Sequence, residues 1–303
     1  MQTELVVPPL TPFTHAGAID WPALRAQIDY IVETCRATHI VAAGVEAQEY
    51  QFLEPETRRE LICRTVEYTQ GRVPVMVGIS HPDPRACWEL GRLARELGAA
   101  AVQVLAPLRP FGGPPSDQDL LRYFQAVAER VDLPIVLYLN AGPGADVGIP
   151  GTIALARLPQ IVMIKESSRD LARISRLIVE IDHAGHARYL TTMQMLLATI
   201  MLRGSGATMP PPAAEIARSV IDAWEAGDVH RAAELQLQFA LFPARWMHRG
   251  LTPTMKAAMR FIGIDLGHPY PPYAGLDKDE AAALEAFLKT TLLARHGGTH
   301  AHV

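Results

Sequence analysis

The feature that most constrains this chain is a recurrence. Short apolar runs rich in valine and isoleucine return along its length, and between them lie longer segments whose apolar residues fall at helical spacing. The runs read as strands are Leu5–Leu10, Ile40–Ala43, Val73–Ile79, Ala100–Leu105, Pro134–Leu139, Ile161–Lys165, Arg188–Thr191 and Gly206–Met209, eight in all. Most are apolar on consecutive positions rather than alternate ones, the pattern of parallel strands covered on both faces. Eight βα units predict an α/β fold of the (β/α)8 TIM barrel type. An open doubly wound sheet has about five to seven strands and a glycine-rich first turn. The first turn here, PPLTPF, holds no GxGxxG, and Gly142-Pro143-Gly144 lacks a third glycine at the right place, so a dinucleotide site has little support.

The intervening segments carry helix signals. Asp20 precedes Pro22, Asp83 precedes Pro84, Ser116 stands three residues before Asp119 as in a capping box, and Asp170 opens a stripe that runs to Glu180. From Asp228 the strands stop. Helices are expected over Val229–Phe242, over Pro253–Ile262 with Thr252 as cap and Gly263 as stop, and over Asp277–Leu293. The predicted organisation is a barrel over residues 1–227, a C-terminal helical extension over 228–295 and a flexible tail over 296–303, whose histidines are given no function. At 303 residues the chain is long enough for one barrel with such an addition.

Composition removes several function classes. A formal charge of −4 without a basic block argues against nucleic acid as a partner. There is no signal-like N-terminus and no apolar window of membrane-spanning length, so no membrane partner is expected. The cysteines Cys35, Cys63 and Cys87 lie far apart with no CxxC pair, which reads as buried thiols in a reducing compartment, by default the cytoplasm. No GxxxxGK[ST], HExxH or GxSxG occurs, so neither a cofactor nor a metal is expected.

In a barrel the active site lies at the C-terminal ends of the strands, so polar residues that close apolar runs are the candidates. Ile161–Lys165 ends in a lysine. Among apolar walls its ammonium would be disfavoured and its pKa lowered, giving an amine that attacks ketones; the bland alternative is a lysine snorkelling to water. Pro134–Tyr138 closes with a phenol able to move a proton, or with an ordinary core tyrosine, and Asn140 follows. Glu46 and Glu49 follow the second strand, at the mouth or as helix-capping acids; within a few ångströms of Lys165, Glu46 would raise the lysine's pKa against the burial effect, or would itself stay protonated and donate a hydrogen bond. Gly204-Ser-Gly206-Ala-Thr208 brackets the eighth strand, as anion-binding turns do and as turns of positive φ also do.

With these pieces in order, the chain resembles the dihydrodipicolinate synthase and N-acetylneuraminate lyase family. The resemblance rests on PPLTPF with AIDWPAL, Glu49-Tyr50-x-x-Leu53, RVPVMVGIS, the tyrosine closing the fifth strand, Ile-Lys-Glu-Ser-Ser-x-Asp-Leu around Lys165, and Thr254-Met-Lys256-Ala-Ala-Met, from about Leu5 to Tyr273. It implies a barrel with a helical extension, a homotetramer or homodimer, no cofactor, and a lysine that forms a Schiff base with a 2-oxo acid, commonly pyruvate. By matched position Lys165 is that lysine and Tyr138 the proton-transferring phenol, with Glu46, Ala47, Gln48, Asn140, Thr208 and Arg109 as expected substrate contacts. Three departures stand out. Gly-Thr-Thr-Gly-Glu of pyruvate-using members is here Val45-Glu46-Ala47-Gln48-Glu49, Thr-Pro-Tyr-Tyr is Ala106-Pro107-Leu108-Arg109, and no arginine follows Tyr138-Leu-Asn-Ala-Gly-Pro-Gly.

The expected activity is therefore that of a Schiff-base aldolase or dehydratase on a 2-oxo acid or related carbonyl compound, other than the lysine-biosynthetic synthase. Two other readings compete with it. One is a non-catalytic or regulatory barrel that binds a small carbonyl ligand, motivated by the lost threonines. The other is a metal-dependent barrel aldolase using Glu46, Glu49 and histidines such as His81.

Overall fold

The expected closed barrel is the one found. In the computed structural model, which describes residues 2–47, 49–109 and 114–297 and the backbone alone of Ala47, eight parallel strands pair in chain order and the eighth closes on the first. They are β1 (Glu4–Val7), β2 (His39–Ala42), β3 (Val75–Gly78), β4 (Ala101–Leu105), β5 (Ile135–Leu139), β6 (Ile161–Glu166), β7 (Arg188–Thr191) and β8 (Gly206–Thr208). The helices of the barrel are α1 (Trp21–Glu33), α2 (Pro55–Thr69), α3 (Pro84–Glu96), α4 (Asp117–Ala128), α5 (Ile149–Ala156), α6 (Leu171–Leu177), α7 (Leu196–Met201) and α8 (Ala213–Glu225). The extension follows as α9 (Val229–Gln236), α10 (Leu251–Phe261) and α11 (Lys278–Leu288). No helix among the described residues is long and apolar enough to cross a membrane.

Strands run shorter than the apolar runs that announce them. β1 stops at Val7 because Pro8 and Pro9 have no N–H to give a neighbour, and β2 stops at Ala42 because Ala43 takes φ +52°. Asp20, Asp83, Ser116 and Asp170 all cap as expected, and the Ser116–Asp119 box is complete. Four helix expectations need correction. After α6 the chain widens into a π-turn over Ile178–Asp182, which carries the Asp182 carboxylate to the backbone N–H groups of Tyr189 and Ser205. The helix expected to reach Phe242 ends at Gln236 and tightens into a 3-10 turn ahead of Pro243, which disfavours helix at the residue before it. Thr252 lies inside α10 rather than capping it. Pro253 is tolerated anywhere in a first turn, where its missing N–H has no role, and Gly250 supplies the cap at φ +96°. The last helix ends at Leu288, and a separate short turn over Leu292–His296 follows it. Of the expected tail, residues 298–303 lie outside the described residues.

Two cores result. The larger lies between the sheet and its helices, and a separate cluster that includes Val41, Ala101, Val136 and Met163 fills the inside of the barrel. Side chains on a strand return to the same face every second residue. One step beyond that plug toward the mouth stand Ala43, Gln103, Tyr138 and Lys165. Closure needs two glycines. A Cβ on Gly206 would lie 2.0 Å from the Glu4 carbonyl oxygen, and one on Gly78 would lie 2.1 Å from that of Ala43.

Candidate active site

Lys165 and Tyr138 sit opposite each other in the β5–β6 register, each directly above a residue of the barrel plug. Both are buried, at 3% and 1% exposure. The Lys165 ammonium lies 3.0 Å from the Tyr138 hydroxyl, 2.7 Å from Ser167 Oγ and 4.2 Å from the centre of the tyrosine ring. Asn140, just past the end of β5, donates from Nδ2 to the same phenol oxygen at 2.9 Å. The phenol oxygen thus receives two donors on its lone pairs, and the proton it carries is directed away from both.

Glu46 completes the cluster. It sits on the 3-10 turn Val45–Ala47 that follows β2, 3% exposed, with Oε1 3.5 Å from Lys165 Nζ. This is an ion pair without hydrogen-bond alignment, and neither carboxylate oxygen has a hydrogen-bond partner among the described residues. Burial pushes Lys165 down, but the facing oxygens of Tyr138 and Glu46 more than offset it, so the ammonium is held above its ordinary range. Of the two opposed expectations for this lysine, the lowering by apolar walls gives way to the raising by the groups that face it, the Tyr138 oxygen first and then the Glu46 carboxylate at 3.5 Å. Burial, followed by the opposed pulls of Lys165 and Glu46, leaves the Tyr138 phenol above its usual value and firmly protonated.

The turn that carries Glu46 is held from two sides. Gln103, on β4, accepts the Val45 N–H through Oε1 at 3.3 Å, while its Nε2 is buried with no partner among the described residues. Glu49, just beyond, meets Lys256 of α10 at 3.0 and 3.2 Å and accepts the Tyr270 N–H at 3.0 Å. Behind the lysine, Glu166 points to the outer face of β6, where it accepts from the Tyr189 hydroxyl at 2.7 Å and from Arg173 Nε at 3.2 Å. Arg173 in turn reaches the Val147 carbonyl at 2.8 Å, so β6 is braced against the β5–α5 loop.

The other candidates divide. Thr208, in register with Val6 of the plug, is buried with its hydroxyl unpaired among the described residues. Arg109 turns away: its guanidinium bonds Asp119 of the α4 capping box at 2.6 Å and is half exposed. The Ala47 side chain and Gln48 lie outside the described residues. Gly206 takes φ +151° against the Glu4 backbone, a requirement of barrel closure. Of the residues offered for a metal, Glu46 faces Lys165, Glu49 faces Lys256, and the His81 ring accepts the Asp83 N–H at 2.9 Å. Two contributors escaped sequence reasoning. Ser167 was signalled by standing two residues beyond Lys165 on the same strand face, and Gln103 by being the one polar residue in AVQVL.

A cavity of about 740 Å³ opens beside the mouth over Tyr50, Arg58, Ser80 and Arg109, but none of Lys165, Tyr138 and Glu46 lines it. A smaller one, about 330 Å³, is lined by Asn140, Asp146, Ser167 and Arg173. It touches Asn140 and Ser167, the two residues bonded to Tyr138 and Lys165, but like the larger cavity it is lined by none of Lys165, Tyr138 and Glu46.

The arrangement supplies a buried amine, a phenol 3.0 Å from it and a carboxylate 3.5 Å from it, which is equipment for imine chemistry. Comparison with known proteins points the same way. Residues 1–291 match the model of the dihydrodipicolinate synthetase family. A 4-hydroxy-tetrahydrodipicolinate synthase of Leptothrix cholodnii is 30% identical over 292 residues, covering 94% of this chain and 96% of its own. Among solved structures, an E. coli K12 prophage protein of the dihydrodipicolinic acid synthase family, in complex with pyruvate, superposes with TM-score 0.83 at 26% identity over 95% of this chain and 98% of its own. N-acetylneuraminate lyase of Mycoplasma synoviae shares the fold, with TM-score 0.81 at 21% identity over 96% and 98%. The chain is a divergent member of the dihydrodipicolinate synthetase family, whose enzymes are class I Schiff-base lyases and aldolases.

Proposed function

We propose that the protein is a carbon–carbon or carbon–oxygen lyase in which Lys165 forms an imine with a 2-oxo acid or related carbonyl compound and Tyr138 moves the proton. The observation that carries this reading is the contact between Lys165 Nζ and the Tyr138 hydroxyl at 3.0 Å, inside a barrel mouth, with Asn140 fixing the phenol. Attack of the amine gives a carbinolamine. The phenol relays a proton from the attacking nitrogen to the carbonyl oxygen, and once water has left, the protonated imine withdraws electrons from the bond to be broken. Ser167 at 2.7 Å orients the amine before attack.

Condensation of pyruvate with aspartate semialdehyde is not the expected reaction, although the curated relatives carry the synthase name. The turn after β2 has a carboxylate and an alanine at the positions of the two threonines, and Leu108 and Arg109 stand in place of the two tyrosines. Assembly as a homotetramer or homodimer is a further part of this reading, checked by sedimentation. The decisive test is reduction with borohydride in the presence of a panel of carbonyl compounds, with peptide mapping by mass spectrometry. The adduct is expected on Lys165. Lys165→Arg should abolish both adduct and turnover, because a guanidinium stays protonated and cannot attack a carbonyl. An adduct on another lysine overturns the reading.

A further inference from the structure

The charges at the mouth sum to zero before any substrate enters. Lys165 and Glu46 face each other at 3.5 Å, both nearly inaccessible. Of the cations around it, Arg109 is bound to Asp119 and Lys256 to Glu49, and Arg58 lies on the separate cavity beside the mouth with its guanidinium on the Gly78 carbonyl at 2.9 Å. A substrate that brings a carboxylate beside its carbonyl carbon would therefore set a second buried carboxylate against Glu46, with Lys165 already paired to the first, which is costly in a site this dry. Meanwhile the site holds unused hydrogen-bonding capacity. Both Glu46 oxygens are open acceptors, Gln103 Nε2 is an open donor next to the Val45 N–H, and the Thr208 hydroxyl is unpaired among the described residues.

We propose that Glu46 is the proton donor for imine formation and the counter-ion of the finished imine, and that the substrate is an α-hydroxy ketone or α-hydroxy aldehyde without a carboxylate beside its carbonyl. This rests on Lys165 being the imine-forming lysine. The step balances within the pair. A proton passes from the Lys165 ammonium to Glu46, leaving a neutral amine and a carboxylic acid. The amine adds to the carbonyl carbon, forming the C–N bond and opening the C=O double bond, and the Tyr138 hydroxyl, 3.0 Å from the nitrogen, relays one proton from it to the oxygen to give the carbinolamine. The carbinolamine hydroxyl then leaves as water with the proton from Glu46, breaking the C–O bond. The products are a protonated imine, a carboxylate 46 restored as its counter-ion, and one water. A substrate hydroxyl on the neighbouring carbon donates to Glu46 and accepts from Gln103, using groups that otherwise stay unsatisfied at a cost. A 2-oxo acid offers only another acceptor there.

The experiment incubates the full-length protein with cyanoborohydride and either hydroxyacetone or pyruvate and reads the rate of adduct formation on Lys165 by mass spectrometry. Wild type should trap hydroxyacetone about tenfold or more faster than pyruvate, the least that an uncompensated buried charge predicts. Glu46→Gln and Glu46→Thr, each checked for native thermal unfolding, should slow the hydroxyacetone adduct and raise the pyruvate adduct relative to it. Pyruvate trapped by wild type as fast as hydroxyacetone, with the adduct on Lys165, overturns the substrate class and leaves the imine reading intact. An unchanged preference in both variants overturns the role of Glu46. No adduct on Lys165 with either compound overturns the imine reading itself and this inference with it.

Discussion

Replacing Lys256 by methionine isolates what the extension does for the site. The ammonium is 2% exposed on α10, lies 3.0 and 3.2 Å from the two oxygens of Glu49, donates to the His268 carbonyl at 2.9 Å and stands 4.6 Å over the Phe13 ring. At 3.0 Å and an effective dielectric of 20 the Coulomb attraction is about 5 kcal/mol. Burial opposes it: Lys256 is pushed below its ordinary value and Glu49 above its own, each by loss of water and only partly offset by the partner. The pair as a whole is thus worth little, whereas methionine keeps the volume, removes one charge and leaves Glu49 buried alone, at a cost of roughly 3–5 kcal/mol. For a chain of this size the unfolding temperature should fall by on the order of 5–15 °C. The sign of the pH effect follows from Glu49. A carboxylate whose folded pKa is raised destabilises the fold above that pKa, and the penalty disappears as pH falls through it, so the deficit of the variant should shrink in acid. Thermal scans of wild type, Lys256→Met and Glu49→Gln with Lys256→Met decide the matter. The double variant should recover most of the loss. A single variant within about 1 kcal/mol of wild type at neutral pH, or a double variant no better than the single, would refute the reasoning.

Tyr138→Phe should lower turnover by about 10²–10⁴ while unfolding stays near that of wild type, as expected for loss of a proton-transferring group; an unchanged rate would make the tyrosine a packing residue. Gly78→Ala should destabilise by roughly 1–3 kcal/mol and displace the turn after β2, because the new methyl would meet the Ala43 carbonyl oxygen at 2.1 Å. Circular dichroism and the rate of adduct formation on Lys165 report the two effects, and full retention of both would show that the turn yields without cost.

The barrel was legible because each strand is covered on both faces and so is written as an uninterrupted apolar run, which periodicity detects without reference to neighbours. Lys165 and Tyr138 were legible for the same reason, as polar residues at the ends of such runs. The pairing of Lys165 with Glu46 was not, since it joins positions on β6 and after β2 that only the closed circle of strands brings within 3.5 Å. The sequence carries two opposed expectations for the lysine, lowering by burial and raising by a nearby Glu46, and only that distance decides between them. Arg109 failed differently. It stands beside the mouth in sequence, but Asp119, already committed to capping α4, offers it a carboxylate at 2.6 Å. Helix ends were the least legible where the backbone departs from α geometry, as at the π-turn over Ile178–Asp182, because side-chain pattern says little about whether the last turn widens or tightens.

The extension belongs to the site rather than beside it. Glu46 and Glu49 stand three residues apart on one irregular stretch after β2, and each faces a buried lysine: the first on a barrel strand, the second on α10. A loop at a barrel mouth is ordinarily free to move, and the Glu46 carboxylate gains no hydrogen bond among the described residues to hold it. Its position therefore has to come from its flanks. Gln103 fixes the backbone on one side, at Val45, and Lys256 fixes it on the other, at Glu49. The C-terminal helices add no strand to the barrel, yet they supply one of these two anchors. A boundary drawn at residue 228 separates elements by their order in the chain, whereas the carboxylate opposite Lys165 depends on both sides of it.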